Sequence, residues 1–298
     1  MKNKCEICGQ NKLFEVYKGP IRDGAYGGVR DFSIIYECEY CGVQRLREED
    51  CIPDQYYETD QYRKILNQSL KSEKSKIEQD EMQHFTLKAL FPNSLRGKRI
   101  LDVGCGNGSL LDMLKNVSDS QVGIEPCSPY LELLNQQGFE AFASLSDAKK
   151  VNIKTVDYAF SIQVIEHVKN PVHFLKEIRE LISSDGKLLI STPNRDDILM
   201  SLLHEEFYPF FYRTQHRWYF NEASLSICAK LAGFKINNVN FLHRYGMSNT
   251  FHWLKDKKPR GRQGMDGVDE SIDQMWQSYL RNRKQSDNIY IEMSLIDD

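Results

Sequence analysis

The chain has no apolar run approaching the roughly 18 residues that a membrane-spanning helix requires, so no transmembrane segment is expected. Its first ten residues, MKNKCEICGQ, also lack an apolar signal region, which places the protein in the cytoplasm. An excess of basic residues is missing too: 39 Lys and Arg face 42 Asp and Glu, for a net charge of −3 and a pI near 6.2. Broad nucleic-acid binding needs clustered Lys and Arg to displace counterions from phosphates, so nucleic acid is not an expected partner. Residues 1–55 lean the same way, with eight basic side chains against ten acidic ones. No disulfide framework is evident, because four of the eight cysteines form two close pairs while Cys51, Cys105, Cys127 and Cys228 are scattered. What the chain does contain is apolar material: 41% of 298 residues can bury a substantial core, in one large domain or two smaller ones.

The paired cysteines are Cys5-Glu-Ile-Cys8-Gly9 and Cys38-Glu-Tyr-Cys41-Gly42. Two Cys-x-x-Cys pairs can place four thiolates tetrahedrally around Zn²⁺, and the following glycine lets the chain turn tightly beneath the metal. Four Cys ligands would close the shell, so Cys5, Cys8, Cys38 and Cys41 point to structural zinc. Between them, Phe14 to Lys18 and Phe32 to Tyr36 are β-prone runs separated by a glycine-rich turn at 23–28, predicting a zinc-ribbon-like module over residues 1–55. Residues 56–96 read as a connector of one or two helices. From Lys98 onward, short apolar runs alternate with helical patterns, the signature of a parallel α/β sheet. A helix is expected from an N-cap at Asn221 to Leu231, before a strand at Phe234 to Phe241, which closes a core domain over 97–245. Two segments fall outside the repeat. An aromatic insert at about 198–220 reads either as a substrate lid or as a covering helix with core aromatics. Residues 246–298 read as a linker with a helical extension.

The run Leu101-Asp-Val-Gly-Cys-Gly-Asn-Gly108 ends a buried strand in G-x-G-x-G, not the G-x-G-x-x-G of dinucleotide enzymes. No Lys-Ser or Lys-Thr follows, which excludes a phosphate-gripping P-loop. A helix can start at Ser109, leaving backbone N–H groups to face a ligand across the strand end. The next strand ends Val122-Gly-Ile-Glu125-Pro126, placing a carboxylate where it can accept hydrogen bonds from both ribose hydroxyls. A later strand ends Phe160-Ser-Ile-Gln-Val-Ile-Glu-His167. In this order and at these spacings the three elements resemble class I S-adenosylmethionine (SAM) methyltransferases, over about residues 97–245. The resemblance implies a Rossmann-like seven-stranded sheet with helices on both faces. It also implies that Asp102, Gly104, Cys105, Gly106 and Asn107 line the methionine and sulfonium end of SAM, that Glu125, followed by Pro126, holds the ribose, and that Gln163 borders the reaction centre. The adenine subsite has no clear signature in Ala143 to Asp147.

Methyl transfer from a sulfonium is an in-line displacement, so the protein aligns the acceptor, excludes water and removes a proton where the nucleophile is a hydroxyl. His167 is the candidate base, because imidazole titrates in the right range; the alternative is a capping or packing histidine. His216 and Arg217 are candidates for acceptor contact, and His243-Arg-Tyr245 is a weaker one. The motif after the third strand is not the Asp/Asn-Pro-Pro-Tyr of enzymes that methylate exocyclic nitrogens of DNA bases; Gln-Val-Ile-Glu-His looks like small-molecule O- and C-methyltransferases. Cysteine knuckles with Glu-His also resemble deoxysugar C-methyltransferases, which carry a further C-terminal domain. Tyr245 to Trp253 resembles methyltransferases of bacterial surface-polysaccharide pathways. The expected function is therefore O-methylation of a sugar, nucleotide-sugar or glycan substituent. Two other readings remain open: a zinc-bearing ribosomal RNA methyltransferase, and a SAM-binding regulatory or scaffold protein without turnover.

Overall fold

The computed structural model describes residues 4–24, 27–59, 73–90 and 94–296, with side chains in the third stretch from residue 77. Strands β4 (Arg99–Val103), β5 (Ser120–Ile124), β6 (Glu140–Phe142), β7 (Val156–Ile162) and β8 (Ile182–Pro193) run parallel. With β10 (Phe234–Leu242) and β11 (Asn288–Leu295) they form one seven-stranded sheet in the order β10-β11-β8-β7-β4-β5-β6. The centres of β4 and β7 are apolar, as in parallel strands covered on both faces, and Ile100, Leu101, Ala159 and Phe160 are fully buried. From β4 the chain builds outward through β5 and β6, then returns to lay β7 on the other side of β4. That reversal opens a crevice at the carboxyl ends of β4 and β7, where open α/β sheets bind ligands.

Local chemistry fixes the flanking helices. In α5 (Pro171–Arg179) the Asn170 side chain accepts the His173 amide and Pro171 occupies the first turn, where its missing N–H costs nothing. As its sequence predicts, α8 (Glu222–Leu231) starts at Asn221, whose side chain accepts the Ser224 amide while the Ser224 hydroxyl accepts the Asn221 amide. Helix α1 (Glu73–Leu90) occupies the later part of the expected connector; residues 60–72 and 91–93 of that connector lie outside the described residues.

Two boundaries differ from those read in the sequence. Residues 246–298 are not only a linker and helix, because β11 inserts antiparallel between β8 and β10. Its strand signal is masked by polar Asn288, Glu292 and Ser294. Glu292 is nevertheless buried, accepting from the Tyr158 hydroxyl at 2.5 Å and from Lys187 Nζ at 3.0 Å, so both faces of β11 can be covered.

The second difference concerns residues 1–55 and 198–220, which form one unit. Strands β1 (Leu13–Arg22), β2 (Val29–Cys38) and β3 (Gln44–Leu46) make an antiparallel sheet whose fourth strand, β9 (Trp218–Tyr219), comes from the aromatic insert. Helices α6 (Ile198–Leu203) and α7 (Tyr208–Phe211) pack beneath it, and Phe207, Phe211, Tyr212 and Tyr219 share a core with Ile21, Ile35 and Leu46. Burying each ring contributes roughly 2–3 kcal/mol. These rings are core, not a lid.

Candidate active site and cysteine cluster

Each cysteine knuckle is closed by the same backbone bond: the Gly9 amide donates to the Cys5 carbonyl at 2.9 Å, and the Gly42 amide to the Cys38 carbonyl at 2.8 Å. Both glycines sit at positive φ, 76° and 67°, where a side chain would be strained. The four thiols are free, with Sγ–Sγ separations of 3.7 Å for Cys5–Cys41 and 3.6 Å for Cys8–Cys38. All four sulfurs lie within 4.8 Å of one another. Tetrahedral zinc with bonds near 2.3 Å requires sulfurs about 3.8 Å apart, so this donor set fits that metal. The Cys41 thiol, hydrogen-bonded to Cys5, holds the Cys5 thiol down to about 5.

A cavity of about 1110 Å³ fills the crevice at the ends of β4 and β7. That volume takes a nucleoside-sized cofactor together with a second small reactant. The glycine loop forms part of its lining. Gly104 has φ +81°, and a Cβ there would lie 2.4 Å from Val164 Cγ2, so only glycine fits the turn. The Gly104 amide donates to the Ile124 carbonyl at 2.7 Å, which ties the loop to β5. Glu125 is buried, and its carboxylate accepts from the Gly106 amide at 2.8 Å and the Cys127 amide at 2.9 Å. Among the described residues, the carboxylates Asp54, Glu58, Glu78, Glu81, Glu125 and Glu177 line the cavity against Lys169, Arg244 and Arg262. That excess of negative charge suits a ligand carrying a sulfonium.

Of the residues expected to hold the cofactor, Gly104, Cys105, Gly106, Glu125, Pro126 and Gln163 line this cavity. Asp102 lies buried in β4, and burial, with the nearby Glu125 charge, pushes its carboxyl up to about 7. Asn107 turns its side-chain oxygen to the Ser109 amide at 3.1 Å, at the start of α2 (Ser109–Leu114). Gln163 adopts φ 58°, an unusual conformation for a non-glycine residue, and its side-chain amide donates to Ser191 Oγ and to Asn288 Oδ1 on β11.

His167 lines the same cavity. Its Nδ1 lies 2.8 Å from the Gln215 carbonyl and 3.0 Å from the Tyr57 hydroxyl, which itself donates to the Gln215 carbonyl at 2.9 Å. Its Nε2 lies 3.9 Å from Glu166 Oε1. Glu166 is 1% exposed, and burial pushes its carboxyl up to about 7 against the pull of the Thr192 hydroxyl, which donates to it at 3.0 Å. His216 does not line the cavity; it packs edge-on behind His167, with ring centroids 4.8 Å apart. Burial, with Arg213 nearby, holds His216 well below the usual imidazole range, so it is neutral. The insert also grips this corner, because the Arg217 and Trp218 amides both donate to the Glu166 carbonyl and Trp218 Nε1 donates to the Val168 carbonyl.

Arg217 is committed elsewhere, pairing with Glu48 at 2.6 Å and Asp54 at 3.5 Å in the N-terminal module. His243 is buried and accepts the Asp287 amide at 3.0 Å, whereas Arg244 and Tyr245 line the cavity. Glu166 belongs to the Gln-Val-Ile-Glu-His motif but is given no role there, and Tyr57, with no sequence signal, reaches the site across 110 residues of chain.

A family model described as a methyltransferase domain matches residues 75–239. A ubiquinone biosynthesis O-methyltransferase of Azorhizobium caulinodans is 27% identical over 173 residues, covering 53% of this chain and 67% of the relative. Its namesake in Aeromonas salmonicida is 28% identical over 169 residues, covering 53% and 71%. Among solved structures, a chain from the complex between the Haloferax volcanii Trm112 methyltransferase activator and a methyltransferase superposes with a TM-score of 0.52 at 12% identity, covering 74% of this chain and 93% of that one. The fold is thus the expected Rossmann-like methyltransferase sheet. The expected sugar or glycan acceptor is corrected, because these relatives carry the name of a small-molecule O-methyltransferase. The segment behind the polysaccharide resemblance, Tyr245 to Trp253, is mostly the start of helix α9 (Met247–Asp256), and its Trp253 is core packed against Phe207 and Phe210. Among the described residues no helix is long and apolar enough to cross a membrane.

Proposed function

Because the chain belongs to the methyltransferase-domain family, we propose that this SAM-dependent enzyme methylates the hydroxyl of a small molecule, with His167 as the proton acceptor. The observation that carries the reading is one cavity lined by the glycine loop, Glu125 and His167 together. Bound SAM would supply an electrophilic methyl group on a positively charged sulfur. Glu125 would accept from the ribose hydroxyls, and Gly104 and Gly106 would let the backbone of their loop lie close against the cofactor. The acceptor oxygen forms its bond to the methyl carbon as the carbon–sulfur bond breaks, and its proton passes to His167. Protonated His167 would lie with Nε2 3.9 Å from Glu166 Oε1, so the imidazolium would favour ionisation of the Glu166 carboxyl that burial otherwise holds up to about 7. The names of the relatives support oxygen as the methylated atom and a small molecule as the acceptor.

The four thiols are assigned to one structural Zn²⁺, on the strength of their spacing. His167→Gln tests the catalytic assignment. Turnover should fall by about 10²-fold or more, the ordinary contribution of general-base catalysis, while SAM affinity stays unchanged. Normal turnover would remove His167 from the base role.

A further inference from the structure

The contacts around His167 decide more than its location. A carbonyl oxygen only accepts hydrogen bonds, so at 2.8 Å from the Gln215 carbonyl the His167 Nδ1 must carry the ring proton. The Tyr57 hydroxyl lies within reach of both atoms, 3.0 Å from Nδ1 and 2.9 Å from the same carbonyl. Its ring also meets the imidazole at 5.3 Å between centroids. Neither partner comes from the sheet that carries His167. Tyr57 lies in a short helical turn (Asp54–Tyr57) after the N-terminal module, and Gln215 lies in the loop leading into β9.

We propose that Tyr57 is a positioning residue which, together with the Gln215 carbonyl, locks His167 in its Nδ1–H form, so that Nε2 is the ring's basic nitrogen. The inference rests on the base role given to His167 above. The lock has a direct chemical consequence. The proton taken from the acceptor hydroxyl settles on Nε2, 3.9 Å from Glu166 Oε1, where the new cation favours ionisation of that buried carboxyl. In the other tautomer Nε2 would already be protonated and could accept nothing. His216, packed on the ring at 4.8 Å, is a weaker competitor for that proton, because burial and Arg213 hold its imidazole well below the usual range.

The test combines nitrogen NMR with kinetics. In protein labelled with ¹⁵N-histidine, the His167 resonances, identified by their loss in His167→Gln, should show a protonated Nδ1 and a bare Nε2 at a pH where the ring is neutral. A protonated Nε2 would overturn the proposal. In Tyr57→Phe, which keeps the ring contact and removes only the hydroxyl, kcat should fall about fivefold, the loss of roughly one hydrogen bond. SAM affinity should be unchanged, and the acid limb of the kcat–pH profile should move. If Tyr57→Phe matches the wild type in kcat, pH profile and tautomer, Tyr57 is only a packing residue and the proposal is wrong. Full turnover by His167→Gln would sink the base assignment instead, and the wild-type tautomer spectrum distinguishes the two failures.

Discussion

The Gly106 amide donates to Glu125 Oε2 at 2.8 Å, joining the loop after β4 to the carboxylate that ends β5. One bond therefore fixes these two pieces of the cavity lining relative to each other. In Glu125→Ala the proposed ribose acceptor and the brace on the loop are lost together. SAM affinity measured by calorimetry should fall by about 10- to 100-fold, the range for hydrogen bonds to a charged group. Unchanged affinity would refute the cofactor pose.

Gly104→Ala tests the same wall by steric means. The new methyl would lie 2.4 Å from Val164 Cγ2, on a backbone at φ +81°. The variant should lose about 1–3 kcal/mol of stability in urea unfolding and bind SAM more weakly. Adding Val164→Ala should restore part of that loss by removing the clash, with the backbone strain remaining. Full recovery would mean that the conformation at 104 carries no strain.

Metal content tests the cysteine cluster. The purified protein should contain one zinc per chain, and Cys8→Ser should lose it. Because β3 of the cysteine module pairs with β9 of the insert, and the insert's amides hold Glu166, the damage should spread to catalysis. A metal-free Cys8→Ser protein with full activity and native near-ultraviolet dichroism would contradict this coupling.

Asp197 gives a pH prediction with a definite sign. Its side chain caps α6 by accepting the Leu199 amide at 2.8 Å, while burial and the nearby Asp287 charge push its carboxyl up to about 7. Below the unfolded carboxylate range both states hold the proton. Between about pH 4 and 7 the unfolded chain releases it and the folded chain keeps it, so this group's contribution to stability falls as pH rises, by up to roughly 4 kcal/mol. In Asp197→Asn, which can still cap the helix, urea unfolding should lose less stability from pH 5 to pH 7.5 than in the wild type. An unaltered slope would show that Asp197 ionises normally.

Features written in contiguous residues were legible before the structure. The glycine loop, Glu125 and the two cysteine knuckles each carry their chemistry within a few positions, and the local backbone alone shapes them. What was not legible depends on distant contacts. Tyr57 meets His167 across 110 residues, β9 joins a sheet begun near the N-terminus, and β11 buries a glutamate that its sequence would leave in water. The aromatic insert shows the ambiguity clearly: Tyr212 and Tyr219 have the composition of a ligand lid, and only the facing strands make them core. The sugar or glycan acceptor that Tyr245 to Trp253 suggests fails for a related reason, since the buried tryptophan of that segment serves packing.

The most direct test of the central claim is carbon NMR of the product formed from SAM labelled with ¹³C in its methyl group and a pool of small-molecule metabolites. A hydroxyl-directed methyltransferase predicts a new methoxy resonance on a small molecule, absent when the protein is omitted and strongly reduced with His167→Gln. Label appearing as an N-methyl or C-methyl group, or only in macromolecules, or in no product at all, would contradict it.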